Sequence, residues 1–216
     1  MTDWKTVDGY FAETLNNEPE WLAKVRAANA AADIMDIAVS VQQGALLGLL
    51  VKAMGAKRIL EVGTLGGYSA LWMAHMAGEG AHITTLEADP GNAAQARRNI
   101  EAVGLSDRIE IVEGDARETI GSVAGPIDFG FFDADKKSNA FYLKAALNIA
   151  RPGALLIVDN VVRDGNLVDA SKTDENSQGA REVIAAAGAE GRLMPVGLQT
   201  VGEKGWDGML LCLVTG

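Results

Sequence analysis

The chain has 216 residues, of which 48% are hydrophobic and 22% are charged, a composition typical of an ordinary globular domain with a sizeable core. Its formal net charge of −10 argues against a nucleic-acid partner, which would require a basic face, and against an anionic membrane surface. The longest apolar stretch, 45–51, is too short to span a bilayer, and the N-terminus lacks the apolar core of a signal peptide. With a single cysteine, Cys212, we expect a cytoplasmic protein without an internal disulfide.

The first residues show the apolar spacing of amphipathic helices. Trp4, Val7, Phe11 and Leu15 fall at steps of three and four and predict one helix. The segment 16–19 breaks this pattern, and the proline at its end starts a second helix. The apolar faces of these helices either cap the rest of the chain or pair two subunits, and capping requires fewer assumptions.

From residue 44 the chain alternates helix and strand, which predicts a doubly wound, Rossmann-like α/β fold. We expect a seven-stranded, mostly parallel sheet with right-handed crossovers. The last two strands have no helix between them and should form an antiparallel hairpin at one edge. We assign 1–216 to one domain, with an N-terminal helical cap (1–43) and a core (44–216). The predicted elements of the core are helices 44–54, 67–77, 91–103, 116–121, 137–150 and 177–188, strands 58–62, 82–87, 108–113, 127–133, 154–159, 192–197 and 208–214, and a polar loop at 162–176.

A glycine-rich turn, 63–68, joins the first predicted strand to the next helix. Glycines let the backbone approach a ligand closely and permit positive φ. A dinucleotide-binding fingerprint beginning at Gly63 would require glycines at positions 65 and 68, where the chain has Leu65 and Tyr68. The turn therefore argues against a pyrophosphate at the helix N-terminus.

Acidic and polar residues follow the ends of the first three strands. Glu87 lies about twenty residues beyond the turn, where a carboxylate can accept both hydroxyls of an adenosine ribose. Glu61 and the pair Asp115-Ala116 add polar groups around the same crevice. The order of these residues predicts a site for a nucleoside cofactor.

Two later strands also stop at carboxylates. Asp133 follows one apolar run, and Asp159 and Asn160 follow another. Such runs are typical of buried parallel strands, whose carboxyl ends carry the ligand sites of α/β sheets. Oxygen-only donors suit a hard cation such as Mg²⁺.

The ordered set of strand-end residues resembles that of class I S-adenosylmethionine-dependent methyltransferases. With Asp133-Ala-Asp-Lys136 and Val158-Asp-Asn-Val161 included, the chain resembles the cation-dependent O-methyltransferases, the group of catechol and caffeoyl-coenzyme A O-methyltransferases, in their small bacterial form. The resemblance runs from about Tyr10 to the C-terminus and includes Gln43-Gly44.

This resemblance implies S-adenosylmethionine as cofactor and Mg²⁺ as metal, with Mn²⁺ or Ca²⁺ as alternatives. It implies that Asp133, Asp159 and Asn160 bind the metal. Lys136 matches the general base, and Asp133 and Asp164 match substrate contacts. The cofactor contacts that it implies are Val39 (through its backbone), Glu61, Gly63, Thr64, Ser69, Glu87, Asp115, Ala116 and Asp135.

The expected reaction is metal-dependent methyl transfer to one hydroxyl of a vicinal dihydroxy phenol, by a homodimer that takes a small phenolic acceptor. Gln42-Gln43 stands where the family commonly has Asp-Glu, so we expect a polar contact on the cofactor side to differ. Loops 162–176 and 198–207 would shape the acceptor pocket, which leaves the acceptor open. The alternatives are methylation of a non-catechol hydroxyl, a nicotinamide-dependent oxidoreductase, and a non-catalytic nucleoside-binding protein.

Overall fold

The computed structural model describes residues 3–15 and 18–216, so the predicted break at Asn16 and Asn17 lies outside the described residues. Within these ranges, no helix combines the length and apolarity needed to cross a bilayer. The principal helices are α1 (Trp4–Leu15), α2 (Glu20–Ala31), α3 (Val41–Met54), α4 (Tyr68–Ala77), α5 (Pro90–Ala102), α6 (Ala116–Thr119), α7 (Asn139–Ile149) and α8 (Glu175–Ala189), and the strands are β1 (Arg58–Val62), β2 (His82–Glu87), β3 (Ile109–Glu113), β4 (Ile127–Phe132), β5 (Ala150–Asp159), β6 (Leu193–Gly202) and β7 (Gly205–Val214).

The strands form one sheet in the order β3-β2-β1-β4-β5-β7-β6. The first five strands in this order are parallel, and β7 runs antiparallel to both β5 and β6. The predicted Rossmann-like sheet with an antiparallel edge hairpin is therefore confirmed. Because β1 and β4 are neighbours at the centre, Val62 lies beside Phe132, and the residues that follow these two strands meet at one edge of the sheet.

Both faces of the central strands are buried, as expected for parallel strands covered by helices. Val62, Phe132 and Val158 face one hydrophobic cluster, which includes side chains of α7 and α8. Phe131 and Ile157 face the opposite cluster, which includes side chains of α3 and α4. This alternation explains why the strand sequences are almost continuously apolar.

Side-chain caps set the starts of the helices near the carboxyl edge of the sheet. The Ser40 hydroxyl accepts a hydrogen bond from the Gln43 N–H at 3.2 Å, so α3 begins three residues before the predicted helix 44–54. Asp174 caps α8 by accepting from the Ser177 N–H at 3.0 Å, so this helix begins at Glu175 and shortens the predicted loop 162–176.

The predicted loop 198–207 is wrong, because these residues extend the edge hairpin. Strands β6 and β7 pair continuously from Leu193 opposite Val214 to Gly202 opposite Gly205. A two-residue turn, 203–204, connects them. The glycines in this segment flank a tight turn, and Gly205 has a φ of +104° that favours glycine.

The capping role expected for the N-terminal helices stays a prediction, and α1 packs less deeply than α2. No residue of α1 is buried, and Trp4, Val7, Phe11 and Leu15 are between 41% and 60% exposed. The helix contacts α3 and β6, yet these four apolar side chains stay about half exposed. The amphipathic pattern therefore leaves an uncovered apolar face in the described chain.

Candidate active site

The glycine turn after β1 brings two strand ends together. Gly63 has a φ of +99°, and a Cβ at this position would lie 2.6 Å from the backbone oxygen of Asp133. Only glycine allows the chain to pass so close to the end of β4. The Asp133 N–H also donates to the Val62 carbonyl at 2.9 Å. The turn thus places Asp133 beside the loop that opens α4.

Glu87, at the end of β2, is fixed by backbone donors from this turn. Its Oε2 accepts from the N–H groups of Thr64 at 3.1 Å and Leu65 at 2.7 Å. Its Oε1 accepts from the Asp89 N–H at 2.9 Å. Three backbone hydrogen bonds hold the carboxylate in one orientation before any ligand arrives.

Glu61 lies beneath this turn and is completely buried. Its carboxylate accepts from the Ser69 hydroxyl at 2.6 Å and from the Thr85 hydroxyl at 2.5 Å. Burial raises the pKa of Glu61 to about 7, although the two hydroxyls oppose that shift. Glu61 therefore supports Ser69 from below rather than lining an open cavity.

Two adjoining cavities surround the turn. The central cleft has a volume of about 500 Å³, and the flanking cavity towards β2 and β3 has about 330 Å³. Gly63, Glu87 and Ala134 line both. Eight of the nine predicted cofactor residues line one or both cavities: Val39, Gly63, Thr64, Ser69 and Glu87 in the central cleft, and Gly63, Glu87, Asp115, Ala116 and Asp135 in the flanking cavity.

The two aspartates of the flanking cavity are held by different groups. Asp115 caps α6 and accepts from the Arg117 N–H at 2.8 Å. Asp135 accepts from the hydroxyls of Ser138 and Tyr142, each at 2.5 Å. Both carboxylates thus have fixed positions at the rim of this cavity.

A pair of carboxylates lies at the ends of β4 and β5. Asp133 Oδ1 accepts from Lys136 Nζ at 2.6 Å, and the side chains of both residues are mostly buried. Burial raises the pKa of Asp133, and the charge of Lys136 opposes that shift. Lys136 also lines the central cleft, so the ion pair faces the same space as Glu87.

The second carboxylate, Asp159, is 3% exposed. Its Oδ1 accepts from the Asn160 N–H at 2.8 Å, and its Oδ2 accepts from Gln43 Nε2 at 2.6 Å. Burial raises the pKa of Asp159 to about 7, and the negative charge of Asp133 adds to that shift. The two carboxylates are therefore close enough to repel each other.

These residues fit a hard divalent cation. Among the described residues, no three His, Cys, Asp or Glu side chains form a metal-binding group, but the site at the ends of β4 and β5 has two carboxylates and an amide. When both are ionised, Asp133 and Asp159 carry one negative charge more than Lys136 can neutralise. Asn160, with a φ of +57°, directly follows Asp159 and lines the central cleft together with Asp133. Mg²⁺ favours such an oxygen-only set.

A third cavity, the hairpin cavity, lies on the opposite side of the carboxylate pair and has a volume of about 230 Å³. Asp159 and Gln43 line it together with the tip of the hairpin at 200–205. Asn160 lines both this cavity and the central cleft. The predicted metal ligands therefore lie where the two spaces meet.

Two residues that the sequence singled out, Asp164 and Gln43, do not line the central cleft. Asp164 lies outside the linings of the three cavities, whereas its neighbour Arg163 lines the central cleft. Gln43 lines the hairpin cavity and contacts Asp159, and it is absent from the lining of the central cleft. The sequence contains no signal for its contact with Asp159, 116 positions away.

A doubly wound sheet with this turn, the Glu87 carboxylate and a cleft at its carboxyl edge defines a class I methyltransferase fold. The family model described as O-methyltransferase matches residues 12–214. The chain belongs to this O-methyltransferase family and is therefore an enzyme.

Relatives of known structure or curated name cover nearly the whole chain. A catechol O-methyltransferase of Mycobacterium tuberculosis is 44% identical over 209 residues, which are 96% of this chain and 94% of the relative. A catechol O-methyltransferase of Niastella koreensis is 40% identical over 215 residues, 98% of this chain and 97% of the relative. The O-methyltransferase of Bacillus cereus, solved in complex with SAH, is 42% identical, superposes with a TM-score of 0.95 and is matched over 98% of both chains.

Proposed function

We propose that this enzyme transfers a methyl group from S-adenosylmethionine to one hydroxyl of a vicinal dihydroxy phenol, with a divalent cation. The observation that carries the proposal is the position of Asp133, Asp159 and Asn160 between the central cleft and the hairpin cavity. A cation there would contact an acceptor on one side and face the methyl donor on the other. The names of the two catechol O-methyltransferases support the acceptor class.

The central cleft and the flanking cavity would hold S-adenosylmethionine. Glu87, fixed by backbone N–H groups, would accept from the ribose hydroxyls. Ala116 and Asp135 would lie at the adenine end, in the flanking cavity. Ser69, which is held by Glu61, would contact the cofactor in the central cleft. The SAH complex of the Bacillus cereus protein supports S-adenosylmethionine as the cofactor.

The chain's own residues would hold and deprotonate the acceptor. A neutral phenol is a poor nucleophile, because its pKa is about 10. A bound Mg²⁺, or Mn²⁺ or Ca²⁺ in its place, would stabilise the phenolate and fix its orientation through two adjacent oxygens. Lys136 lies at the cleft beside Asp133, where its uncharged amine could take the hydroxyl proton. Holding the reacting atoms in line can save on the order of 7–11 kcal/mol.

The hairpin cavity would hold the phenolic ring. Its volume of about 230 Å³ suits one substituted ring, and Leu46 and Met209 provide apolar walls. A wider groove between α1, α2 and the hairpin shares Asp8, Gln42 and Lys204 with this cavity. That groove leaves room for a substituent on the acceptor.

The test is transfer of labelled methyl from S-adenosylmethionine to catechol and caffeate, with Mg²⁺ and again with excess EDTA. We expect transfer that EDTA abolishes and Mg²⁺ restores. A monohydroxy phenol serves as control and should accept no methyl, because it cannot chelate. Equal methylation of the control would favour a non-catechol acceptor, and transfer that ignores EDTA would remove the carboxylate pair from the reaction.

We further propose that the enzyme acts in the cytoplasm as a homodimer paired through the face of Trp4, Val7, Phe11 and Leu15. This face is exposed on an otherwise folded chain, and burying it against a second copy would remove apolar surface from water. Phe11→Asp should convert a dimer into a monomer in light scattering, whereas Glu13→Lys, on the opposite side of α1, should not. A monomeric wild-type protein would contradict the proposal.

A further inference from the structure

Gln43 holds the more deeply buried carboxylate of the candidate metal site. Its Nε2 donates to Asp159 Oδ2 at 2.6 Å, while the Asn160 N–H donates to Oδ1 at 2.8 Å. Both oxygens of Asp159 therefore have a donor that fixes the plane of the carboxylate. Since each carboxylate oxygen has two lone pairs, a cation can still bind beside these hydrogen bonds.

The position of Gln43 is itself set by the start of α3. Its backbone N–H donates to the Ser40 hydroxyl at 3.2 Å, which caps the helix. The next residue, Gly44, packs so closely on the indole of Trp72 that an added Cβ would clash with the ring. The first turn of α3 is thus anchored against α4, and the Gln43 side chain is directed at the end of β5.

The two carboxylates of the pair have different partners. Asp133 contacts the ammonium of Lys136 at 2.6 Å, whereas Asp159 contacts a neutral amide at the same distance. An amide orients the Asp159 carboxylate without adding a positive charge to the site. A lysine at position 43 would instead cancel the charge that the cation needs.

We propose that Gln43 is a positioning residue of the metal site, which orients the Asp159 carboxylate for a divalent cation from outside the set of ligands. This inference rests on the proposed metal dependence. Hydrogen-bond partners of ligating carboxylates typically contribute 10–100-fold in metal affinity. Gln43 should therefore affect metal affinity and leave the cofactor site, on the other side of Asp133, unchanged.

The experiment is a calorimetric titration of the full chain with Mn²⁺, repeated with SAH, for the wild type and Gln43→Met. Methionine keeps the length of the side chain and removes the donor. We expect Mn²⁺ affinity to fall by about 10–100-fold, with SAH affinity within about twofold of wild type. Gln42→Met is the matched control, because Gln42 lines the same cavity and its amide nitrogen has no hydrogen-bond partner among the described residues.

A second variant separates positioning from polarity. Gln43→Asn keeps the amide but is one methylene shorter, so it should lose the contact and weaken Mn²⁺ binding as the methionine does. Wild-type affinity in either Gln43 variant, or an equal loss in Gln42→Met, would overturn the inference. If the wild type itself binds no Mn²⁺, the proposed metal dependence fails instead.

Discussion

The central cleft and the hairpin cavity lie on opposite sides of Asn160, yet the chain builds them differently. The central cleft comes from consecutive strand–turn units, in which Thr64 and Leu65 donate to Glu87 on the adjacent strand. The hairpin cavity joins distant segments: Gln43 contacts Asp159 across 116 positions. The central cleft is held mainly by backbone hydrogen bonds, and the hairpin cavity is held mainly by contacts between side chains.

This difference implies that the two regions respond separately to substitution. Three backbone N–H groups hold Glu87, so no single side-chain change removes its support. On the hairpin side, one side chain, Gln43, supports one oxygen of Asp159. We therefore expect variants on the hairpin side to alter acceptor and metal binding while cofactor binding persists.

The largest expected effect is that of Asp159→Ala. Loss of a charged metal ligand should reduce kcat/KM by about a thousandfold, equivalent to roughly 4 kcal/mol. SAH affinity, measured by calorimetry, should stay within about twofold of wild type, because Asp159 lines only the hairpin cavity among the three.

The matched variant, Glu87→Gln, should show the reverse pattern, with weakened SAH binding and unchanged Mn²⁺ affinity. If Asp159→Ala loses both affinities, the two regions are not separable, and Asp159 supports the whole carboxyl edge of the sheet.

Lys136→Met should lower kcat by about 10²–10⁴-fold, the usual contribution of a general base, with a smaller change in KM. Steady-state assays of the wild type and the variant at neutral pH measure both constants. An unchanged rate at neutral pH would eliminate Lys136 as the base and leave its ion pair with Asp133 as its role.

The sequence predicted most of the central cleft, because its signals are local. A strand that ends at Glu87 and a glycine turn at Gly63 are close in sequence to the elements they join. Once the strand order is known, β1 and β4 must be neighbours, and Asp133 follows the end of β4. Short-range pattern and sheet topology together therefore placed these residues.

The hairpin side was predicted poorly because its contacts join residues that are distant in the sequence. The glycines within 198–207 suggested a loop, but they flank a tight turn between two long strands, β6 and β7. Strand β7 also pairs with β5, which is distant in the sequence. Asp164 follows only from the family resemblance, and the chain there has two successive positive φ values, +55° at Arg163 and +53° at Asp164. Neither positive φ in a non-glycine residue nor the apolar exposure of α1 can be read from periodicity.

Glu61→Gln tests the support beneath the cleft. Burial raises the pKa of Glu61 from 4.5 to about 7. Between pH 4.5 and 7, Glu61 therefore carries a proton in the folded state but not in the unfolded state. Stability is therefore lost as pH rises from about 4.5 to 7, by about 3 kcal/mol. Gln does not titrate, so the free energy of unfolding of the variant relative to wild type should increase by that amount between pH 4 and 8.

Urea unfolding of the ligand-free chain in EDTA measures this difference. The exposed Glu101→Gln serves as control and should show the same pH dependence as wild type. A constant difference between wild type and Glu61→Gln across the range would mean that Glu61 is ionised at its buried position, and that the hydroxyls of Ser69 and Thr85 offset its burial.

The smallest effect concerns the wall of the hairpin cavity. Asp8 of α1 accepts from the Glu203 N–H at 2.7 Å, and its carboxylate lies so close to Gly202 that a Cβ there would clash. Asp8→Ala should release the hairpin tip and raise the acceptor KM about fivefold, equivalent to about 1 kcal/mol for one hydrogen bond. Asp36→Ala is the matched control: it removes the ion pair that Lys204 makes on the same turn, but Asp36 is almost fully exposed and the pair contributes little. Steady-state measurements of the acceptor KM should thus separate the two contacts to this turn. An equal change in KM for both variants would mean that the tip moves freely and that α1 does not shape the acceptor cavity.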